Sequence, residues 1–503
     1  MDFLDPKKQR RSKLILSIGY ILMALAIGIG TLVLLYQAYG FGVDKNGNVI
    51  QNGLLFFSSQ PSGAQIYLNG KLNGAQTNSR LLVPSGTYNV RIAASGYRDW
   101  QREVSVNGGD VQHFDYPFLF PKTLVTKPVA SFAAVPAIAT QSLDRRWLLV
   151  ERTDDLATFD EYDLQNPKTA AVPVTIPVAN YTPGSGAQSW AVQEWSSDNK
   201  HVLLLHTFMQ ASQPAHEYIV LDRQTPDSSV NVTKATGLPA TAALSLFNKK
   251  FDQYYVFDQA AGALSTVTLS DPSSKLKLTH VLTYKQYGGD TVLYVTDQSP
   301  NGKQLPGEVS VVLAQGQKVY ILRTMPATSP QYLLDLATYS GDWYVVVAAS
   351  NDKAAYLYKN PQSRVDASPN SLPKVTRLLR VNQPTYISFS SNGRFVMAEN
   401  GQGFGVYDAE TIKGYNYTVR LPLDQPQAHA AWMDGHRLSF VSGGKIAVFD
   451  YDSLNLQVLQ AANPAYKSFF TPDYKFVYSL ASPVDVTSKD ALQLTSTALT
   501  VVK

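Results

Sequence analysis

Residues Leu14 to Tyr36 form an unbroken apolar run of twenty-three positions without a charge, and this run constrains the chain more than any other feature. A helix of that length crosses the ~30 Å hydrocarbon core of a bilayer. Lys7, Lys8, Arg10, Arg11 and Lys13 stand directly before it. A basic cluster at one end of a span stays on the cytoplasmic side, so the reading is N-terminus in, C-terminus out. The run is longer than a secretory apolar region, and its Ala24-Leu25-Ala26 lies mid-run rather than at a cleavage position, so an uncleaved anchor is expected. The pairs Ala24/Gly28 and Ala26/Gly30 have a spacing that could pack two such helices into a weak homodimer.

The charge balance divides at the same place. Residues 1–13 hold five basic and two acidic residues, which leaves 38 basic and 37 acidic in the rest. A near-neutral ectodomain makes nucleic acid a poor partner. The chain has no cysteine, which excludes disulfides, thiolate metal sites and cysteine nucleophiles. An outward-facing chain without disulfides points to a bacterial envelope. Beyond the span, Tyr, Val, Thr, Gly and Pro are abundant and helical periodicity is nearly absent, so the ectodomain is expected to be all-β.

Residues 37–53 read as a hairpin linker turning at Asn46-Gly47. Asp44, Asn46 and Asn48 match the opening of a calcium loop, but the glycine is misplaced and no distal Glu follows, so no metal is expected. Over 54–120, Ala64, Ile66 and Leu68 alternate, Asn69-Gly70 closes a tight turn, and Tyr88, Val90 and Ile92 alternate again after Pro84-Ser85-Gly86. The pattern predicts five or six short strands in a small sandwich.

This segment resembles a PEGA domain. The Pro-Glu-Gly-Ala turn of that family stands here as Pro61-Ser62-Gly63-Ala64, with Asn69-Gly70-Lys71, Pro84-Ser85-Gly86-Thr87-Tyr88 and Gly96-Tyr97 following in place. The family's usual Gly-x-Thr-Pro is replaced by Gly74-Ala75-Gln76-Thr77-Asn78, longer and without the proline. The resemblance implies a non-catalytic module of bacterial and archaeal surface proteins, associated with envelope material. Here it is expected to act as a spacer or wall contact.

From about residue 139 a pattern recurs: an aromatic or apolar residue, a polar turn, a basic or aromatic residue, then an apolar strand. Trp195-Ser-Ser-Asp-Asn-Lys-His-Val-Leu, Phe389-Ser-Ser-Asn-Gly-Arg-Phe-Val-Met and Phe470-Thr-Pro-Asp-Tyr-Lys-Phe-Val-Tyr are clear copies. Starts at 141, 195, 247, 287, 338, 389, 432 and 470 lie 38–54 residues apart. A later strand ends in an acid at Asp222, Asp408 and Asp450. Units of this length suit propeller blades. They resemble the TolB-like and YVTN-like propellers, which implies a β-propeller over 121–503. Eight blades are expected, or seven if the Tyr287 unit is an insertion. Closure is expected between a strand near Lys122–Val129 and a strand at Ala498–Val502.

The chemistry-bearing residues form no recognisable set. His113, His201, His206, His216, His280, His429 and His436 lack ligand spacing and read as surface or turn histidines. Ser197-x-x-Lys200 and Ser274-x-x-Lys277 have serine–lysine spacing without its partner motifs. Glu151, Asp154, Asp155, Asp160, Glu161 and Asp163 could bind a cation or hold a glycosidase pair, but read as a solvated blade edge. No catalytic, cofactor-binding or metal residue is assigned, and no cofactor is expected. The expectation is a membrane-anchored binding or scaffold protein with a wall glycan, surface glycan or envelope protein as partner and the membrane held by 14–36. An ecto-hydrolase of envelope polysaccharide is the alternative. A sensor is a third, needing a second signalling protein because only about thirteen residues precede the span.

Overall fold

The computed structural model describes residues 6–38, 40–43, 47, 49–184, 186–239, 241–299, 302–327, 329–367, 372–425, 428–483 and 488–501. The chain divides into two compact units at Thr123/Leu124. The candidate calcium residues Asp44, Asn46 and Asn48 lie outside the described residues.

The first unit opens with the helix Pro6–Ala38. Its stretch Arg10–Gln37 is long and apolar enough to cross a membrane, and none of it is buried in protein. The apolar residues of this stretch lie on every side of the helix, the pattern of a helix fit to span a membrane.

The rest of this unit is a β-sandwich of two four-stranded sheets. One sheet joins Phe41–Val43, Val49–Phe57 and Ser79–Pro84, with Val111–Phe114 running parallel to Val49–Phe57. The other has the order Lys71–Gln76, Gln65–Leu68, Gly86–Ala93, Trp100–Val106. Alternation sends Leu55, Phe57, Leu81 and Val83 inward from one sheet and Ile66, Val90, Ile92 and Val104 from the other. Trp100 stacks edge-on against Phe114 and Tyr116 at 6.4 and 5.9 Å. The hairpin read as a linker shares its second strand with the sandwich, because Val49–Phe57 continues unbroken into the core sheet. The missing proline also has a reason. Asn78 sits at φ +70°, which a pyrrolidine ring cannot adopt. Thr77 keeps its place, its hydroxyl oxygen accepting from the Ala64 amide at 2.9 Å.

The second unit consists of eight four-stranded antiparallel sheets in chain order. They span 139–175, 189–231, 243–278, 281–326, 332–379, 386–418, 431–461 and 469–498, numbered here as blades 1 to 8. Blade 8 takes its outer strand from Val125–Phe132, which pairs with Leu492–Ala498 from Val125↔Ala498 to Phe132↔Leu492. The closing partner therefore lies earlier than the expected 498–502, because the chain turns away at Leu499, whose amide bonds to the Lys475 carbonyl. Buried clusters bridge neighbouring sheets. Leu149, Phe159 and Val202 join blades 1 and 2, Val311, Leu336 and Val345 join blades 4 and 5, and Leu148, Tyr478 and Leu494 join blades 8 and 1. This is an eight-bladed β-propeller. All eight start positions fall at or just after the innermost strand of a blade, and the Tyr287 unit is a complete blade.

The repeat has a structural cause in the turn between first and second strands. The hydroxyls of Ser390 and Thr471 bond to Asn392 and Asp473 at 2.7 and 2.8 Å and accept from the amides of Phe395 and Phe476. The fourth turn residue takes positive φ: Arg145, Asn199, Gly393 and Tyr474. The following basic residue pairs with the acid closing the third strand: Arg146–Asp163 at 2.8 Å, Lys200–Asp222 at 2.7 Å and Arg394–Asp408 at 2.8 Å. Blade 5 reverses the polarity, with Asp342 bound to Lys359 at 2.7 Å. Burial alone would raise the Asp163 carboxyl, but Arg146 and Asn166 outweigh it and hold it at about 2. Lys200 and Thr225 do the same for Asp222, again at about 2.

Folded-state values below the unfolded one mean stability that is present above pH ~4 and lost as pH falls towards 2. Asp163→Asn is therefore expected to flatten the acid limb of unfolding between pH 4 and 2, read by urea melts. Asp408→Ala removes the fully buried carboxylate that accepts from Arg394 and the Thr411 hydroxyl, leaves Arg394 its pair with Glu410, and should cost about 1.5–3 kcal/mol. Asp160→Asn, which loses the more exposed pair to Arg152, should cost at most ~1 kcal/mol in the same assay.

Candidate functional site

The first strands of the blades surround the propeller axis, and a cavity of about 850 Å³ opens among those of blades 1, 2, 6, 7 and 8. Its walls combine aromatic rings, hydroxyls and amides. Trp195 donates its indole N–H to Thr140 Oγ1 at 2.9 Å and Trp432 to Ser388 Oγ at 3.1 Å, so both indoles are fixed by neighbouring blades.

Charged residues cross between blades here. Glu194 forms an ion pair with Lys249 of blade 3 and accepts from Gln286 of blade 4 at 3.4 Å. A register shift between Val192 and Glu194 re-aims this carboxylate. Lys249 is held in a turn where it and Asn248 both take positive φ. Lys285 of blade 4 lies 3.3 Å from Asp335 of blade 5, whose other oxygen accepts from the Phe389 amide at 3.0 Å. Burial would lower the Lys285 ammonium, but Asp335 outweighs it and the net shift is upward, so the group stays charged. Tyr386 is pushed up by burial and by Asp335. Its ring stacks on His429 at 4.3 Å, and His429 Nδ1 lies 3.1 Å from the fully buried Glu399. Tyr386 and His429 also line a smaller cavity of about 240 Å³ beside the first.

Residues singled out in the sequence go elsewhere. Of the acidic run 151–163, Asp154 and Asp155 are exposed between two strands, but the other four acids are not a solvated edge. Glu151 and Glu161 are buried, Glu161 pairs with Arg223 of blade 2 at 3.0 Å, and Asp160 and Asp163 are held by Arg152 and Arg146. These four sit on two internal strands of blade 1, Trp147–Glu151 and Thr158–Asp163, where neighbouring strands and blades flank them. His206 is not a surface histidine either. It is fully buried between Trp190 and Phe208, with Glu217 at 3.1 Å and Gln188 at 3.0 Å. His201, five residues away, stacks on Phe251 toward blade 3, as strand alternation requires. Lys200 pairs with Asp222 at 2.7 Å and Lys277 with Asp290 at 3.4 Å. Among the described residues, no group of three His, Asp or Glu could hold a metal ion.

Sequence reasoning missed Glu194, Lys249, Lys285, Asp335 and Tyr386. A signal existed, since Glu194, Lys285 and Asp335 stand one to three residues before repeat starts, where an innermost strand must face the axis.

The fold thus defines an eight-bladed β-propeller following a small β-sandwich and a helix fit to span a membrane. The PEGA domain family matches residues 52–119, the sandwich. No curated protein matches the chain. Among solved structures, the chain is similar to the β-propeller domain of Myceliophteria thermophila Cps50 (Swd1), with 16% identity, 67% of this chain and 100% of that one covered and TM-score 0.36. It is likewise similar to Kluyveromyces lactis Hsv2 (12%, 64% and 97%, TM-score 0.38) and to an oligogalacturonate lyase in complex with manganese (10%, 75% and 98%, TM-score 0.39).

Glu151 generates a prediction of its own. It is buried, its Oε2 accepts from the Ala137 amide at 2.9 Å, and burial raises its pKa. A raised acid contributes stability below its unfolded value and loses it as pH rises. Glu151→Gln is expected to raise Tm at pH 8 and to match the parent near pH 4, measured by scanning calorimetry.

Proposed function

We propose that this protein is a membrane-anchored binding protein of the cell envelope. The N-terminus is cytoplasmic, the PEGA module and propeller are extracytoplasmic, and the propeller's central cavity is the contact for an envelope glycan or protein. The basic cluster before the apolar helix supports the orientation. The observation that carries the binding reading is the chemistry of the cavity. It has fixed aromatic and hydroxyl walls, and its one acidic lining residue, Glu194, is neutralised by Lys249. A hydrolase of the alternative kind needs two carboxylates, one of them protonated, facing the same bond. Among the described residues the cavity wall offers no such pair, which favours binding over hydrolysis.

The test is sedimentation of residues 37–503 and 124–503 with isolated bacterial envelope. Both forms are expected to pellet. If only the longer form pellets, the PEGA module is the contact, and if neither does, the reading fails. Orientation is checked independently, since the chain lacks cysteine. A Lys168→Cys variant should react with a membrane-impermeant maleimide in intact cells, and a Ser12→Cys variant only after lysis.

A further inference from the structure

We infer that the central cavity takes an anionic, hydroxyl-rich ligand, an acidic glycan segment. This rests on the binding reading above and names its ligand class.

The charge on the cavity wall is unbalanced. Lys249, Lys467 and Arg145 line it, against the single carboxylate of Glu194. Outside the lining, Lys285 pairs with Asp335, and Glu399 is fully buried behind His429. The lining therefore carries an excess of two positive charges in a concave site with low-dielectric walls, where field lines concentrate. The geometry presents the cations rather than the acid: the Lys249 side chain is 50% exposed and that of Glu194 16%. Lys467 is an exposed residue of the lining. Arg145 is positioned, its Nη1 donating to the Met433 carbonyl and its guanidinium 5.2 Å from the Tyr474 ring.

Size and wall chemistry select among anions. A cavity of about 850 Å³ is far larger than a phosphate or a single carboxylate requires. Gln193, Ser439 and Ser468 supply donors and acceptors of the kind that hydroxyls bind, and Tyr466 and Trp432 supply ring faces. An acidic peptide would satisfy the cations but leave these polar groups to water. A neutral glycan would leave the charge excess uncompensated.

The test uses full-length protein in detergent micelles, titrated by calorimetry with a uronic-acid hexasaccharide, its carboxyl-reduced neutral counterpart and hexaglutamate. The uronate is expected to bind at least tenfold more tightly than either comparator, with affinity falling steeply as salt rises. Lys249→Gln with Lys467→Gln should weaken uronate binding about tenfold or more and flatten the salt dependence. Lys467→Gln alone, an exposed change, should give part of that loss. Lys275→Gln with Lys318→Gln, both exposed and outside the cavity lining, should leave binding unchanged. Equal binding of the neutral sugar, equal or tighter binding of hexaglutamate, or an unchanged Kd in the double cavity variant would overturn the inference. If the uronate fails while the propeller still pellets with envelope, the ligand class is wrong and the binding reading stands. If both fail, both fall.

Discussion

Ring closure is the constraint on which the propeller depends. A four-stranded sheet has two faces and two edges, and no blade alone can cover them. Each blade is covered by its neighbours, so the ring must meet itself. It does so through seven backbone pairings between Val125–Phe132 and Leu492–Ala498, strands separated by almost the whole propeller sequence. The paired hydroxyls of Thr126 and Thr497, 2.7 Å apart, lie on this seam, and Phe132 packs with Leu148 and Leu480 beneath it. The propeller core is therefore one cooperative object, although every sheet except the last is built from a local stretch of chain.

Within that ring the turn after the first strand carries most of the regularity. A Ser or Thr closes it through its own hydroxyl, a residue with positive φ reverses the chain, and a basic residue reaches the acid at the end of the third strand. The ion pair ties the second strand to the third, and the hydroxyl-closed turn ties the first to the second. This is why the basic residue and the distant acid recur together. Blade 5, with Asp342 and Lys359 exchanged, keeps the pair and reverses its sign, as expected if the attraction rather than either residue is what the fold uses.

The fold was legible because its signals are local. The apolar run, the Asn69-Gly70 turn, the alternation in the sandwich and eight repeat starts all depend on residues close in sequence. The weakly patterned Tyr287 and Thr338 units were still placed correctly by spacing. The cavity was not legible, because each of its charged contacts joins residues from different blades. Glu194 meets Lys249 and Gln286 from the next two blades, and Asp335 meets Lys285 and the Phe389 amide. A register shift of one residue decides where Glu194 points, and hydropathy does not record it. His206 and Glu151 were misread for a different reason. Each is covered within its own blade, His206 by Trp190, Phe208 and Glu217 and Glu151 by the chain entering the first strand at Ala137, and an isolated His or Glu in the sequence does not record that packing.

The sequence by itself determined the long apolar helix, the two kinds of β-module, the repeat starts and the turn chemistry, and narrowed the blade count to eight or seven. These follow from hydrophobicity, backbone preference and short-range hydrogen bonding, which act within a few residues. Only the tertiary structure decided which carboxylates are neutralised, which histidines are buried and what lines the propeller axis. Those outcomes depend on electrostatics and desolvation across a few ångströms between strands far apart in the chain, and such distances exist only once the ring has closed.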